Sequence, residues 1–506
     1  MKNKLIQFQF PLIFCLLFFN HVIIAQTIEW ERSFGGSGID RLDCIIQTTD
    51  NGYIFVGQSQ STDGDISTNI GSQDFWVVKL DEERNIEWEK SLGSQGGDFG
   101  ISVVQSSDGG YLVGGRSSTD FMVFKLNQDG DTEWERSYGG SEDDDFFSMD
   151  KTADGGYVLA GGTESNDGDV TNNNNFGSLD VWILKINQAG EIEWDKTYGG
   201  SEIDVATSIE QTADLGFVVA AITNSSDGDI SNNNGQFDHW ILKLDSAGEL
   251  EWEKAFGGSG AESPYSIQQT NDLGYIVTGI SNSTDGDVTN NYGLVDHWII
   301  KLDQAGELEW EKNFGGSLSD FSFGEPLIVN DGYMVVGSSE SNNGDVSINN
   351  GDSDFWMYRI DQSGELEWEK SLGGSDLDGG HSIVEASNGN FIVGGNSRSS
   401  DGDVSENKGD FDIWLAEVSP PINTGSENLE GQNFKIYPNP SSGDLIISLD
   451  QNNSENSVQI HDMFGRLISS QKIIQPQLHI TDLPKGIYTF SIISAGILNM
   501  EKVIIH

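Results

Sequence analysis

Residues Ile192–Trp252 read IEWDKTYGGSEIDVATSIEQTADLGFVVAAITNSSDGDISNNNGQFDHWILKLDSAGELEW. Four runs stand out: the one around Trp194, the one ending in SIEQT, FVVAAIT and HWILKLD. Each is short and bounded by Gly, Asp and Asn turn formers, the pattern of successive short strands. The stretch opens and closes on the same EW pair, so it is one turn of a repeat. That Trp recurs as Trp30, Trp88, Trp134, Trp194, Trp252, Trp310 and Trp368, in steps of 58, 46, 60, 58, 58 and 58 residues. Periods of this size mark propellers or solenoids.

One four-stranded sheet cannot bury both of its faces, whereas a ring of sheets stacks face to face and leaves only short edges. The array begins with a strand at Ile28 to Phe34 and ends with one at Phe411 to Val418, so its last three strands lack a fourth. The N-terminal strand can supply it. The expected fold is all-β: a seven-bladed β-propeller over residues 26–418, four strands per blade, closed by the N-terminal strand. A linear solenoid is the alternative, and it needs capping units that the sequence does not show.

Composition supports β structure, with 62 Gly, 13 Trp and 26 Phe among 506 residues. Lys and Arg total 26 against 81 Asp and Glu, a net charge of -55. Nucleic acid and anionic membrane surfaces are therefore excluded as natural partners, and cations or basic partners fit better. The plainer reading of the acidity is solubility. Residues 1–25 open with Lys2 and Lys4, run through LIFCLLFFN and end in VIIA, which reads as a secretory signal peptide cleaved after Ala25. Cys15 lies inside the apolar run, and Cys44 is left without a disulfide partner, in the strand-like CIIQT of the core. No second segment is long and apolar enough to span a membrane.

After Val418 the stretch SPPINTGSENLEGQN, residues 419–433, reads as a linker. From Phe434 to His506 the runs FKIYPNPSSGDLIISL, VQIHDMFGRLI, HITDLPKGIYTFSII and MEKVIIH alternate as in a small β-sandwich. They resemble the type A sorting domain of type IX secretion, known from Bacteroidota. The resemblance rests on Tyr437-Pro438-Asn439-Pro440, Gly443, Asp462-Met463-Phe464-Gly465-Arg466 and Leu483-Pro484-Lys485-Gly486-Ile487-Tyr488, all in order. It implies a partnership with the type IX machinery and a secreted or outer-membrane surface location. The segments KLDQAGELEW, KINQAGEIEW and KLDSAGELEW resemble quinoprotein-type propeller repeats, which implies that the Trp packs on the neighbouring blade. No quinone is expected, because the vicinal cysteines of quinone alcohol dehydrogenases are missing.

Two sets of acidic residues recur. Ten residues after each EW Trp stands Asp40, Asp98, Asp144, Asp204, Glu262, Asp320 or Asp378. Six units carry a D-G-D-[VI]-[ST] loop, which unit two lacks, and the strand Trp follows an Asp by two residues. Strand order puts the D-G-D loops and the G-G-S loops on one rim, opposite the short turns, and any binding face belongs there. In Asp63, Asp65, Ser67, Asn69 and Asp74 the oxygens fall at positions 1, 3, 5, 7 and 12, as they do in Asp227, Asp229, Ser231, Asn233 and Asp238. Calcium takes six to eight oxygens from a flexible loop. The candidate calcium ligands are therefore these Asp and Asn residues together with Asp167, Asp169, Asp180, Asp285, Asp287, Asp296, Asp345, Asp354, Asp401, Asp403 and Asp412. Structural Asx turns are the competing reading. His239 and His297 share one strand position and read as packing residues.

No nucleophile elbow, P-loop or zinc spacing is present. The near-equivalence of the repeats favours a non-catalytic binding protein holding a glycan or protein on the long-loop face. A secreted polysaccharide hydrolase or lyase, and a structural cell-surface component, are the alternatives. An enzyme would place unlike side chains around the central channel.

Overall fold

The computed structural model describes residues 23–24, 26–171, 178–329, 331–423, 434–437, 445–449, 457–462, 467–472, 477–481, 483–494 and 497–505. The signal-peptide reading falls almost wholly outside these residues, as do most of the linker and Pro438–Pro440, Gly443 and Met463–Arg466 of the C-terminal motifs. All described elements are strands. Backbone contacts divide the chain into a compact unit Thr27–Pro420 and a second unit that contains Pro421–His506.

In the first unit each repeat folds as an antiparallel sheet resembling a propeller blade. Sheet four is typical: Asp204–Gln211, Phe217–Thr223, Asp238–Leu244 and Leu250–Phe256 pair in sequence order. The EW strand is therefore the fourth strand of each sheet, and the sheet begins at the carboxylate that follows it. Seven such sheets occur in the described chain. The seventh takes its fourth strand from the N-terminus, Ile28–Phe34 lying antiparallel to Asp412–Val418. The sixth differs, its first strand being broken into Asp320–Ser322 and Leu327–Val329. Between them lie Gly324 and Pro326, and Pro has no N–H to give to a ladder.

Apolar side chains of the middle strands fill the spaces between successive sheets. One core joins Ile392, Ile413 and Leu415 of sheet seven to Leu42, Ile45 and Phe55 of sheet one, so the last sheet packs on the first. The EWE signature has a physical role at each of its letters. In sheet one, Glu87 pairs with buried Lys79 of the third strand at 2.8 Å, and Asp50 takes the same ammonium at 3.0 Å. Glu89 accepts the Trp76 indole N–H at 3.1 Å. Trp88 donates to the Gln128 carbonyl of the next sheet at 3.1 Å and packs where a Cβ on Gly130 would sit. The repeat resemblance implies that these outer Trp residues pack on the neighbouring sheet, as Trp88 does, and reading them as core goes further than the burial allows. The structure leaves Trp88 half-buried and buries Trp76, Trp182, Trp240, Trp298, Trp356 and Trp414 completely. The reason is position: the fourth strand is outermost and covers its neighbour with one face only, whereas the third strand has sheets on both faces.

In the second unit, Phe434–Tyr437, Leu445–Leu449 and Gln477–Ile480 form one sheet, and Leu467–Lys472, Ser457–Asp462, Gly486–Ser494 and Ile497–Ile505 form another. Leu445, Ile447 and Ile480 of the first share a core with Val458, Ile460, Tyr488, Phe490 and Val503 of the second. The short Ile23–Ile24 strand pairs with Ile422–Asn423.

Candidate functional site

The rim that carries the long loops is organised junction by junction, and sheets four and five show the plan. Glu262 opens sheet five and is buried. It accepts the Gly258 N–H and the Ser281 hydroxyl, each at 2.8 Å. Asp285 accepts the Ser259 N–H at 2.7 Å, and Asp287 accepts that of Gly257 at 3.1 Å. Asp238, from the third strand of sheet four, accepts the Asn234 N–H at 2.7 Å through one oxygen. Its other oxygen, Oδ1, is buried without a partner. Burial pushes Asp238 up to about 6, with the charges of Glu262 and Asp287 adding to the rise.

This arrangement recurs. The first carboxylate or amide of each D-G-D loop, Asp63, Asp167, Asp227, Asp285, Asn343 or Asp401, caps a serine N–H at 2.7–2.9 Å. The second, Asp65, Asp169, Asp229, Asp287, Asp345 or Asp403, caps a glycine N–H at 3.1–3.3 Å. Asn69 and Asn233 donate through their amide nitrogens to Ser61 and Ser225 carbonyls, each at 3.0 Å. Third-strand Asp180, Asp296, Asp354 and Asp412 are raised by burial to between about 6 and about 7, and each has an unpartnered Oδ1. Asp74 accepts from Ile70 and Gly71 of its own loop.

The positions 1, 3, 5, 7 and 12 of a loop therefore do not converge on one point. Asp227 and Asp229 face back to the preceding sheet's turn, while Asp238 faces forward to Glu262 and Asp287. Sequence spacing misses this because a hairpin loop lies across two sheets. Among the described residues no group of three or more His, Cys, Asp or Glu is placed to hold a metal, in a loop or at a junction, so a cation there would draw on amide and carbonyl oxygens as well. The seam between sheets seven and one differs in charge: Lys408 Nζ lies 2.6 Å from Asp65, and Arg32 lies 3.3 Å from it.

His239 and His297 are buried packing residues, as the strand reading has it. Burial pushes both down to about 3, and their rings meet Trp298 and Trp356 at 4.7 and 5.0 Å.

Sequence reasoning pointed to a central channel but missed the residues that line it. First-strand residues of the seven sheets line a cavity of 580 Å³. Six of these strands carry a register shift that adds one residue against the second strand, at Asp43, Ile101, Phe147, Thr207, Tyr265 and His381. Phe323 holds the corresponding place in the broken strand of sheet six. All seven line the cavity, because a bulge re-aims the side chain it adds. Their signal in the sequence is disagreement: three residues after a nearly invariant carboxylate, seven repeats present six residue types. Glu325, in the gap of the broken strand, also lines the cavity. Burial raises its carboxyl, and the charge of Asp150 adds to this. Burial likewise pushes Asp43 up to about 7, against the pull of Gln58 and Arg41, and holds His381 down to about 4. Cys44 opens on the same space, its thiol pushed up to about 12 by burial and the Glu325 charge.

Residues 435–506 match the family described as "Secretion system C-terminal sorting domain". This module marks the chain for type IX export to the cell surface or extracellular space. The chain is also 27% identical over 251 residues to the regulatory protein FlaEY of Caulobacter vibrioides, a match over 43% of this chain and 25% of that protein. This chain thus accounts for about a quarter of that relative. Among solved structures it is similar to the Neurospora crassa Pan2 WD40 domain, with a TM-score of 0.45, 11% identity and coverage of 77% and 95% of the two chains. A puromycin hydrolase aligns with a TM-score of 0.44, 10% identity and coverage of 90% and 61%. No helix among the described residues is long and apolar enough to cross a membrane.

Proposed function

We propose that this type IX cargo is a non-catalytic binding protein, a closed seven-bladed propeller joined to a small sorting β-sandwich, which holds a glycan or protein on its long-loop face. One observation carries the reading. On a rim whose loops are fixed by repeated carboxylate caps, Tyr292, Leu294 and Leu318 stay 54%, 64% and 45% exposed. They lie side by side, since the Leu294 N–H reaches the Leu318 carbonyl at 3.2 Å. An apolar patch held on a rigid polar frame is a contact surface. The test is a glycan array and a pull-down with the exported protein and with a Tyr292→Ser/Leu294→Ser variant. Saturable capture that the variant loses supports the reading. Capture equal in both refutes this face, and no saturable ligand at all favours a structural component.

A second reading, a polysaccharide hydrolase or lyase, has an observation of its own in the unlike side chains around the cavity. Asp43 and Glu325 are the carboxyls it would use. Its test is polysaccharide cleavage that disappears in Asp43→Asn and Glu325→Gln.

Calcium is proposed at the junctions rather than within single loops. At the seam an ammonium meets Asp65, whereas among the described residues no Lys or Arg pairs with Asp229, Asp287, Asp345 or Asp403. A divalent cation held by these carboxylates, backbone carbonyls and water would relieve the same repulsion. Melting of chelator-treated protein, with and without millimolar calcium, tests it.

A further inference from the structure

We propose that the central cavity binds a small organic cation, an ammonium or guanidinium group carried on a flat apolar body. This stands apart from the rim reading and concerns a different place in the molecule.

The first argument is the broken symmetry. The rim position that opens each sheet is Asp in six units and Glu in one, as a shared structural role requires. Three residues on, the bulge position differs from sheet to sheet, although a channel that needed only filling could repeat one side chain. The second is the sixth sheet, the one first strand that is interrupted in the described chain. A Cβ on Gly324 would sit 2.8 Å from the His381 carbonyl and 2.9 Å from Val336, so only Gly permits that approach. The interruption brings Glu325 to the cavity.

Charge then selects the ligand. Among the described residues two carboxyls, Asp43 and Glu325, line the cavity, and no Lys or Arg does. The nearby Arg41 guanidinium lies over the Phe411 ring, 4.8 Å from its centroid. Among the described residues Asp43 receives a single, long hydrogen bond, 3.5 Å from Gln58. Both cavity carboxyls are raised by burial, Asp43 against the pull of the Arg41 charge and Glu325 against a hydrogen bond from Gln268. His381 is held neutral by the same burial, so it does not supply a counter-charge.

The walls fix the shape of the ligand. Phe323 stacks on His381 with centroids 5.0 Å apart and planes 9° from parallel. Tyr265 meets Phe323 edge-on at 5.3 Å. Such aromatic walls favour an apolar ring packed among them. The 580 Å³ volume is that of a small-molecule site.

The experiment is titration calorimetry on the purified exported protein with benzylamine, benzyl alcohol and benzoate, which share one ring and differ in charge. Benzylamine is expected to bind one per chain, roughly tenfold or more tighter than benzyl alcohol, with benzoate not binding. Glu325→Gln and Asp43→Asn are each expected to weaken benzylamine about fivefold or more. Phe323→Leu, which keeps the cavity filled, is expected to weaken all ring probes, and unchanged melting shows that the variants fold. Equal affinity for the three probes would make the cavity merely apolar and overturn the proposal. Preference for benzoate, indifference to both carboxyl substitutions, or no benzylamine heat at about 10 mM would overturn it as well.

Discussion

Asp238→Asn should stabilise the protein in alkaline solution and do little in acid. In the folded chain the Asp238 carboxyl is raised from 3.8 to about 6 by burial and by the charges of Glu262 and Asp287. Between roughly pH 4 and pH 6 the folded state holds this proton while the unfolded state has lost it, so stability falls as pH rises through that window. A rise of this size costs the folded state about 3 kcal/mol by pH 8. Asparagine keeps an oxygen for the Asn234 N–H and turns amide hydrogens toward Glu262 and Asp287. The variant should therefore gain about 2–3 kcal/mol over the parent at pH 8 and about nothing at pH 4. Denaturant unfolding of parent and variant at pH 4, 6 and 8, with chelator present, is the assay. Carboxyls remote from Asp238 are common to both proteins and cancel, while relief of Glu262 and Asp287 adds to the gain at high pH. A variant destabilised by the same amount at every pH would refute the reasoning, because it would show Asp238 to be an ordinary ionised cap.

Three further outcomes follow from the packing. Gly228 has φ +67°, and a Cβ there would strike the Gly199 carbonyl, so Gly228→Ala should cost about 2–3 kcal/mol, read as a lowered denaturant midpoint. Lys243 is buried with its ammonium 3.0 Å from Asp214 and 3.2 Å from Glu251. Since both carboxylates are half-exposed, Lys243→Met should cost only about 1–2 kcal/mol at pH 7, less than a fully buried pair would. Removing Thr27 to Gly36 takes away the strand that pairs with Asp412–Val418. Size-exclusion chromatography should then show aggregation, and a truncated protein as monomeric and stable as the parent would contradict the closure.

The sheets were legible in the sequence because each strand is short, apolar and stopped by Gly, Asp or Asn, as in FVVAAIT between ADLG and NSSDGD. The phase of the ends also announced that Ile28–Phe34 would pair with the last repeat. The site was less legible. The spacing of Asp227, Asp229 and Asp238 suggested one ligand set, but spacing along a loop does not say which neighbouring sheet each carboxylate faces. The cavity residues were hidden for another reason. A bulge at Asp43 or Tyr265 breaks the period-two alternation that assigns side chains to faces, so the residue it points inward looks like any other strand residue.

The account rests most on export, and the most direct measurement is fractionation of cells that make the chain with and without residues 434–506. The truncated protein is predicted to stay folded and protease-resistant in the periplasm while the full chain reaches the surface or the medium. Truncated protein outside the cell at the level of the full chain would contradict the account.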